Sequence, residues 1–197
     1  DVQYKIDEEG LPVAVAFPYG TYTNVKDLSS GKYKTIGEGK DAKLFGQEKF
    51  QSGSSKSITI TEGAYDAMSL FEVHGRRYPV VSVRSASCAE GDCSNSWEYL
   101  NSFDNIYLCF DNDHPGQEAT RAVAQLFDVN KIYIVKLDKW KDANEALVGG
   151  HGEELRRTWY NARKYQPKGV ISGHAAIEEV LKKETEGSTA TYPFPTL

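Results

Sequence analysis

The sequence lacks the features of a membrane protein or a secreted protein. Across its 197 residues no apolar run approaches the roughly 20 residues that a transmembrane helix needs. No basic segment followed by an apolar one marks a secretory signal at the start. Three cysteines are too few, and odd in number, for a disulfide-bonded secreted module. We therefore expect a cytoplasmic protein with no membrane partner.

Positive charge is also scarce. The chain carries 23 Lys and Arg residues against 28 Asp and Glu residues, a formal net charge of −5. Proteins that hold duplex DNA through bulk charge are normally basic. Any contact with nucleic acid must therefore rely on local basic patches or on metal ions that offset acidic side chains. Cys88 and Cys93 do not indicate a zinc site, because no second pair of cysteines completes a ligand set.

The first part of the chain predicts a small antiparallel sheet. Apolar, β-branched or aromatic segments at residues 13–17, 21–25 and 33–36 predict strands, and residues 28–32 have the composition of a turn. A polar link rich in Gly and Ser follows at residues 51–56. We expect residues 1–55 to form a β-rich subdomain of a larger catalytic core.

From residue 57 onward, strands and helices alternate. Predicted strands at 57–61, 79–83, 106–110 and 131–137 are separated or followed by predicted helices at 65–74, 94–103, 116–127, 143–147 and 153–163. This alternation predicts a doubly covered α/β domain over residues 56–168, with a four-stranded, mainly parallel sheet and helices on both faces. Residues 169–197 predict one amphipathic helix, at 174–183, and a polar linker cut off before another domain.

Acidic residues follow three of the four predicted strands, directly or within a few residues. Glu62 follows the first strand, Asp111 and Asp113 follow the third, and Asp142 follows the fourth. In an open parallel sheet, ligands bind beyond the carboxyl ends of the strands. Carboxylates gathered there are costly without a cation, and oxygen-only ligands favour Mg²⁺ or Mn²⁺. The alternative interpretation is that the acids cap helices, since Asp113 and Asp142 each precede one.

These residues resemble a known family. The motif E-G-A-Y-D at 62–66 after a strand, with D-N-D at 111–113 after a later strand, is similar to the TOPRIM signature of primases, topoisomerases and some nucleases. The motifs K-D-A-N-E at 141–145 and K-L-F-G-Q at 43–47 resemble the primase half of the bifunctional primase–helicases of short-tailed phages, the family related to the mitochondrial helicase Twinkle.

The resemblance implies an enzyme with a Rossmann-like TOPRIM fold that makes short RNA primers on a single-stranded DNA template from NTPs. Glu62, Asp111 and Asp113 would hold two Mg²⁺ or Mn²⁺ ions, with Asp142 beside them. Glu62 could also accept the proton of the attacking 3′-hydroxyl. Residues in supporting roles would be Gly63, Asp66 and Asn144. The missing partners would be zinc-binding and helicase domains of the same polypeptide, in the host cytoplasm if a phage encodes it.

Basic residues near these motifs are candidates for contacts with nucleotide and DNA. They are Lys34, Lys43, Arg84 and Lys141. Arg84 ends the second strand of the parallel sheet and offers the fork geometry that suits phosphate, although relatives carry Gly or Pro in the loop there. The alternative for each lysine is a solvated surface charge. Tyr19, Tyr22 and Tyr33 could stack on template bases or pack in the core.

Two further functions use the same acidic residues. A TOPRIM nuclease would hydrolyse DNA with the same metal ligands, whereas a catalytically weak module would only bind single-stranded DNA beside a replicative helicase. The intact acids Glu62, Asp111 and Asp113 weigh against the second. A topoisomerase is disfavoured, because 197 residues leave no room for its large gate.

Overall fold

A computed structural model describes residues 2–167 together with Ile177 and Leu181. The chain divides into two compact units, Asp1–Tyr165 and Gln166–Leu197, and the architecture below belongs to the first. The helix predicted at 174–183 and the linker after it lie outside the described residues, apart from those two positions. Within the described part, no helix has both the length and the apolar character needed to span a membrane.

The N-terminal region forms the expected antiparallel sheet, with strands in the order β1-β2-β3. The strands are β1 (Gln3–Ile6), β2 (Pro12–Asp27) and β3 (Tyr33–Ala42). The two strands predicted at 13–17 and 21–25 are one long strand, because Gly20 adopts a left-handed conformation and the register shifts there instead of ending the strand. Asp27 stabilises the turn to β3, because its Oδ1 accepts hydrogen bonds from Ser29 and Ser30.

The second region is the strand and helix alternation expected from the sequence. Its elements in chain order are β4 (Ser57–Thr61), α1 (Ala64–Val73), β5 (Val80–Ser82), α2 (Ala89–Asn95), α3 (Trp97–Asn101), β6 (Asn105–Cys109), α4 (His114–Ala124), β7 (Ile132–Ile134), α5 (Ala143–Val148), α6 (Gly152–Tyr160) and β8 (Arg163–Lys164). Short 3₁₀ helices lie at Gln47–Lys49, Ala86–Cys88 and Val129–Lys131. The strand order is β5-β4-β6-β7-β8, and all pairings are parallel except that of β7 with β8.

Both faces of the parallel sheet are covered, as a doubly wound fold requires. On one face Phe103 and Val123 pack with Leu108 in a core closed by α2 and α4. On the other, residues of α1, α5 and α6 form a second core, which the antiparallel sheet enters. Phe17 of β2 packs there, with its ring centroid 5.0 Å from that of Tyr65 in α1. The antiparallel sheet is therefore joined to the parallel one through a shared core.

The predicted fold class is confirmed, but β1 was not among the predicted strands, and the parallel-sheet region differs in two further ways. A fifth strand, β8, is added at the edge of the sheet, and at two residues it is too short for alternation to reveal. The helix predicted at 94–103 is two helices, α2 and α3, that meet at Ser96 and begin earlier, at Ala89. The segment from residue 89 to 95 is small and polar, and so has no apolar periodicity from which a helix could be recognised.

Candidate active site

The carboxyl ends of the parallel strands carry the acidic side chains that the sequence placed there. Glu62 follows β4, Asp111 lies just after β6, and Asp142 precedes α5. All three line one cavity of about 650 Å³. The other residues lining the cavity come from the parallel-sheet side (Gly63, Ala64, Tyr65, Asp66, Arg84, Ser85, Cys88, Lys141, Asn144) and from β2 and β3 (Phe17, Tyr19, Tyr22, Asn24, Lys26, Tyr33).

Two acid-bearing loops are held together by their backbones. The N–H of Asn112 donates a hydrogen bond of 2.7 Å to the carbonyl oxygen of Lys141. The Lys141 ammonium group lies 3.6 Å from Asp111 Oδ2. Gly116 lets the Asp111 loop approach the first turn of α4, because a Cβ atom there would collide with the Asp111 carbonyl group. The loops that carry Asp111 and Asp142 thus form one local unit.

The site carries more negative charge than its surroundings neutralise. Burial raises the pKa of Glu62 to about 7, and the Asp111 carboxylate adds to the increase. Burial and the Asp142 carboxylate raise the pKa of Asp111, while Lys141 opposes the rise. A nearby cation would favour the ionised form of each group.

Asp66 joins two helices beneath the cavity. It is buried, and its Oδ1 accepts a hydrogen bond of 3.0 Å from the backbone N–H of Asn144 in α5. The Asn144 side chain in turn accepts a hydrogen bond from Ser69 of α1. Burial raises the pKa of Asp66 to about 7, and the Asn144 N–H opposes the rise. Gly63 leaves room for this carboxylate, because a Cβ on Gly63 would lie 3.0 Å from Asp66 Oδ2.

Helix capping, the alternative interpretation of the acids, also applies to two of them. Asp113 Oδ1 accepts a hydrogen bond of 2.9 Å from Gly116 at the start of α4. Asp142 Oδ1 accepts one of 2.7 Å from Glu145, whose own carboxylate accepts from the Lys141 N–H. Each cap uses one carboxylate oxygen, so capping does not preclude a second role for the other oxygen.

The structure does not bring every predicted site residue to the cavity. Among the described residues, the lining omits Asp113, Lys34 and Lys43. Lys34 is exposed on β3, and Lys43 pairs with Glu48 at 3.2 Å on the surface. Asp113 still acts electrostatically, since its charge contributes to raising the pKa of Glu62.

One cation in the cavity was missed by the sequence reasoning. The Lys26 ammonium group lies 4.6 Å from the ring centroid of Tyr65 and 5.5 Å from that of Tyr33. Tyr22, Asn24 and Lys26 all line the cavity, which is the alternation of one strand face. Every second residue of a strand lies on the same face, so continuing from Tyr22 through Asn24 would have identified Lys26 as a candidate.

The residues fit a divalent metal ion held by few protein ligands. The acidic donors at the site are all carboxylate oxygens, and Glu62 Oε2 is buried without a hydrogen-bond partner in the described structure. Within residues 2–167 no three acidic, His or Cys side chains converge as a ready ligand cage. Mg²⁺ commonly uses one or two carboxylates, with water and substrate phosphates completing its shell. The open arrangement suits such an ion better than it suits zinc.

The chain has a layered α/β domain with strand-end acids around a cleft, and the family model described as Toprim-like matches its residues 59–147. The DNA helicase/primase of Enterobacteria phage T3 is 34% identical over 154 residues, which are 78% of this chain and 27% of that protein. The crystal structure of the primase fragment of the bacteriophage T7 primase-helicase protein matches with 33% identity and a TM-score of 0.64, over 80% of this chain and 60% of that one.

A further solved structure contains the bacteriophage T7 lagging-strand DNA polymerase with primase domains of two gp4 subunits bound to an RNA/DNA hybrid and dTTP. It matches with 32% identity and a TM-score of 0.66, over 83% of this chain and 78% of that chain. The chain therefore belongs to the Toprim family of phage primase–helicase primase domains, as its motifs indicated. It spans about a quarter of the length of the T3 relative. Toprim primase domains depend on divalent metal ions.

Proposed function

We propose that this chain is the catalytic core of a DNA primase, which joins ribonucleoside triphosphates into short RNA primers on a single-stranded DNA template. The observation that carries the proposal is the cavity in which Glu62, Asp111 and Asp142 meet beside Lys141. Membership of the phage primase family supports it. The cavity, at about 650 Å³, has the volume of a small-molecule binding site.

In this proposal the acidic side chains have different tasks. Asp111, Asp113, Asp142 and Glu62 would hold two Mg²⁺ or Mn²⁺ ions, which when bound would stabilise the attacking and leaving oxygens of nucleotidyl transfer. Burial raises the pKa of Glu62 to about 7, and a bound cation would favour its ionised form, in which it can accept a proton. It is thus a candidate to accept the proton from the 3′-hydroxyl that attacks the α-phosphate as pyrophosphate leaves.

The basic side chains would balance the charge of the substrates. Lys141 already lies beside Asp111 and can turn toward a triphosphate when that carboxylate binds a metal ion. Lys34 and Lys43 are proposed to contact the template or nucleotide from outside the cavity. Asp66 and Asn144 would support the site by joining α1 to α5.

The partners in this proposal are domains of the same polypeptide. A zinc-binding domain would read the template, and a helicase domain would move along it, in the cytoplasm of the host cell. The T3 relative is a combined helicase and primase, and this chain matches 27% of it. This share leaves room for both domains in a parent protein of similar length.

Primer synthesis tests the proposal directly. The chain is incubated with labelled ATP and CTP and a single-stranded DNA template in a buffer that contains Mg²⁺ or Mn²⁺. The Asp111→Ala and Glu62→Gln variants are tested in parallel. We expect short labelled products from the wild type and from neither variant. Equal products from all three proteins would reject this assignment of the site. Degradation of the template without primers would instead identify a nuclease, and binding without either reaction would identify a DNA-binding module.

A further inference from the structure

The Arg84 side chain makes several contacts within the protein. Its Nε and Nη2 donate to Asp92 Oδ1 at 2.9 and 2.6 Å, and its backbone N–H donates to Asp92 Oδ2 at 2.9 Å. The Asp92 side chain is fully buried, and only 17% of the Arg84 side chain is exposed. Arg84 therefore neutralises a buried carboxylate that has no access to solvent. Withdrawing the guanidinium toward a phosphate would leave the buried Asp92 carboxylate without a charged partner.

The guanidinium also contacts the antiparallel sheet. Its carbon Cζ lies 5.1 Å from the ring centroid of Tyr22 in β2. The third nitrogen, Nη1, occupies the space where a side chain on Gly39 of β3 would stand, so any larger residue there would collide with it. A single side chain thus reaches from the loop after β5 to both β2 and β3.

Further contacts converge on the same junction. The Asn95 side chain, at the end of α2, donates to the Lys40 carbonyl oxygen of β3 at 3.1 Å. Ser82, at the end of β5, bridges with Phe45 through their backbones. Asp92 lies on α2, so the ion pair also attaches this helix to the loop that follows β5. The junction fixes where the antiparallel sheet stands over the parallel one.

This position has a direct bearing on the cavity. Tyr22 and Arg84 both line it, together with the strand-end acids Glu62 and Asp111. We propose that Arg84 and Asp92 act as one positioning unit, which holds in place the side of the cavity that Tyr22 of β2 lines. Arg84 is then not a ligand of substrate phosphate. The proposal rests on the proposed function for the nature of the substrate, a nucleotide or single-stranded DNA. It does not need the chain to make primers.

Substitution at either end of the ion pair distinguishes positioning from phosphate binding. The variants are Arg84→Ala, Arg84→Lys, Asp92→Asn and the double variant Arg84→Ala/Asp92→Asn. We measure the affinity of each variant for two ligands, a fluorescein-labelled single-stranded oligonucleotide and a fluorescent ATP analogue with Mg²⁺. The salt concentration is varied between about 50 and 300 mM, because phosphate contacts make affinity depend steeply on salt in this range. Arg156→Ala is the matched control, because it removes an arginine from the exposed pair with Glu153.

A positioning unit predicts that all four variants lose the same ligand affinity, roughly tenfold or more. The double variant should bind no worse than the single ones, because both residues act through one contact. The slope of log affinity against log salt should stay at its wild-type value. In primer synthesis, the loss should fall on KM while kcat stays within about twofold of the wild type. The Arg156→Ala control should bind normally.

A phosphate ligand predicts the opposite pattern. Arg84→Lys would retain most of the affinity, Asp92→Asn would bind normally, and Arg84→Ala would make the salt slope shallower by about 0.7 for a single strand. That pattern would overturn the proposal. Thermal melting of each variant identifies loss of folding, and the milder Arg84→Lys keeps the test decisive if Arg84→Ala unfolds. Tyr22→Leu should reproduce the affinity loss, and normal binding by that variant would also overturn the proposal.

Failure of the positioning unit is separable from failure of the proposed function. The binding measurements do not depend on synthesis, whereas Asp111→Ala and Glu62→Gln test synthesis without touching the junction. A chain that binds both ligands but makes no primer would leave the Arg84–Asp92 test intact.

Discussion

The two walls of the cavity differ in how they are built. One wall consists of the ends of parallel strands, where Glu62 and Asp111 leave buried strands directly. The other consists of one face of β2 and β3, with Tyr22 and Lys26 held across the cleft by contacts to residues far along the chain. The first is placed by local sequence and sheet topology. The second is placed by packing between two sheets.

This difference assigns different tasks to the walls. The acidic wall has the carboxylates whose charge calls for a cation, so it should determine the rate of the chemical step. The aromatic and basic wall has surfaces suited to bases and phosphates, so it should determine substrate affinity. The predictions below test that division, from the largest expected effect to the smallest.

Removal of one acidic side chain should abolish synthesis. We expect Asp111→Ala to lower kcat by roughly 10²–10³-fold or more, the size of a lost electrostatic contact at a reacting centre. The measurement is primer synthesis at saturating NTP, with Asp104→Ala as control. Asp104 is an exposed acid next to the N-terminal end of β6, the strand whose carboxyl end precedes Asp111. A fall in affinity with kcat preserved would contradict the division between the walls.

Shortening the Phe17 side chain, which packs in the core shared by the two sheets, should destabilise the second wall. Phe17 is 1% exposed and contacts Phe45 and Tyr65, so Phe17→Ala should lower the free energy of unfolding by about 3–5 kcal/mol. Urea denaturation measures the change. Tyr4→Ala on β1 is the control, since Tyr4 is 62% exposed and should cost far less. Equal stability of the two variants would show that the antiparallel sheet folds without this core.

Acid should weaken the parallel-sheet region through His74, a buried histidine at the C-terminal end of α1. His74 lies between the rings of Tyr78, Trp159 and Tyr160, and burial lowers its pKa to about 4, with the Arg156 charge adding to the decrease. The unfolded chain binds this proton near pH 6.5.

The His74 contribution is thus complete above about pH 6.5 and is lost as the pH falls toward 4, up to about 3 kcal/mol. Melting temperatures from pH 4 to 8 measure it. His74→Leu should flatten this part of the pH profile, whereas the exposed His151→Leu should leave it unchanged. An unchanged profile in His74→Leu would assign the acid sensitivity to other groups.

Loss of the cavity lysine should weaken binding and spare the chemical step. We expect Lys26→Ala to reduce affinity for single-stranded DNA or NTP by roughly tenfold, the size of one charge-assisted hydrogen bond. Fluorescence anisotropy measures it, with the exposed turn residue Lys32→Ala as control. Lys34→Ala and Lys43→Ala should have smaller effects, because neither residue lines the cavity. A larger loss in these two than in Lys26→Ala would support their predicted role over that of Lys26.

Sequence reasoning succeeded where the information is local. The fold class, the order of strands and helices, and the placing of Glu62, Asp111 and Asp142 at one sheet edge follow from hydrophobic periodicity and from the rule for strand ends. The capping of α4 by Asp113 was also open to prediction, because a cap is a contact between near neighbours.

The second wall could not be predicted in the same way. Lys26 meets Tyr65, and Tyr22 meets Arg84, only after the antiparallel sheet has packed against the parallel one. Asp92 is an acid within a polar segment and has the sequence context of a surface residue, yet it is fully buried. Its partner Arg84 lies eight positions earlier and across a turn, which no helical or strand period connects.

The hydrogen bond from the Asn112 N–H to the Lys141 carbonyl oxygen has a consequence for engineering the proposed metal site. Since it joins main-chain atoms, it does not depend on the side chains at 111 and 142, so their replacement would keep this link between the two loops. Amides in place of acids at these positions would then change the charge offered to an ion without removing the link.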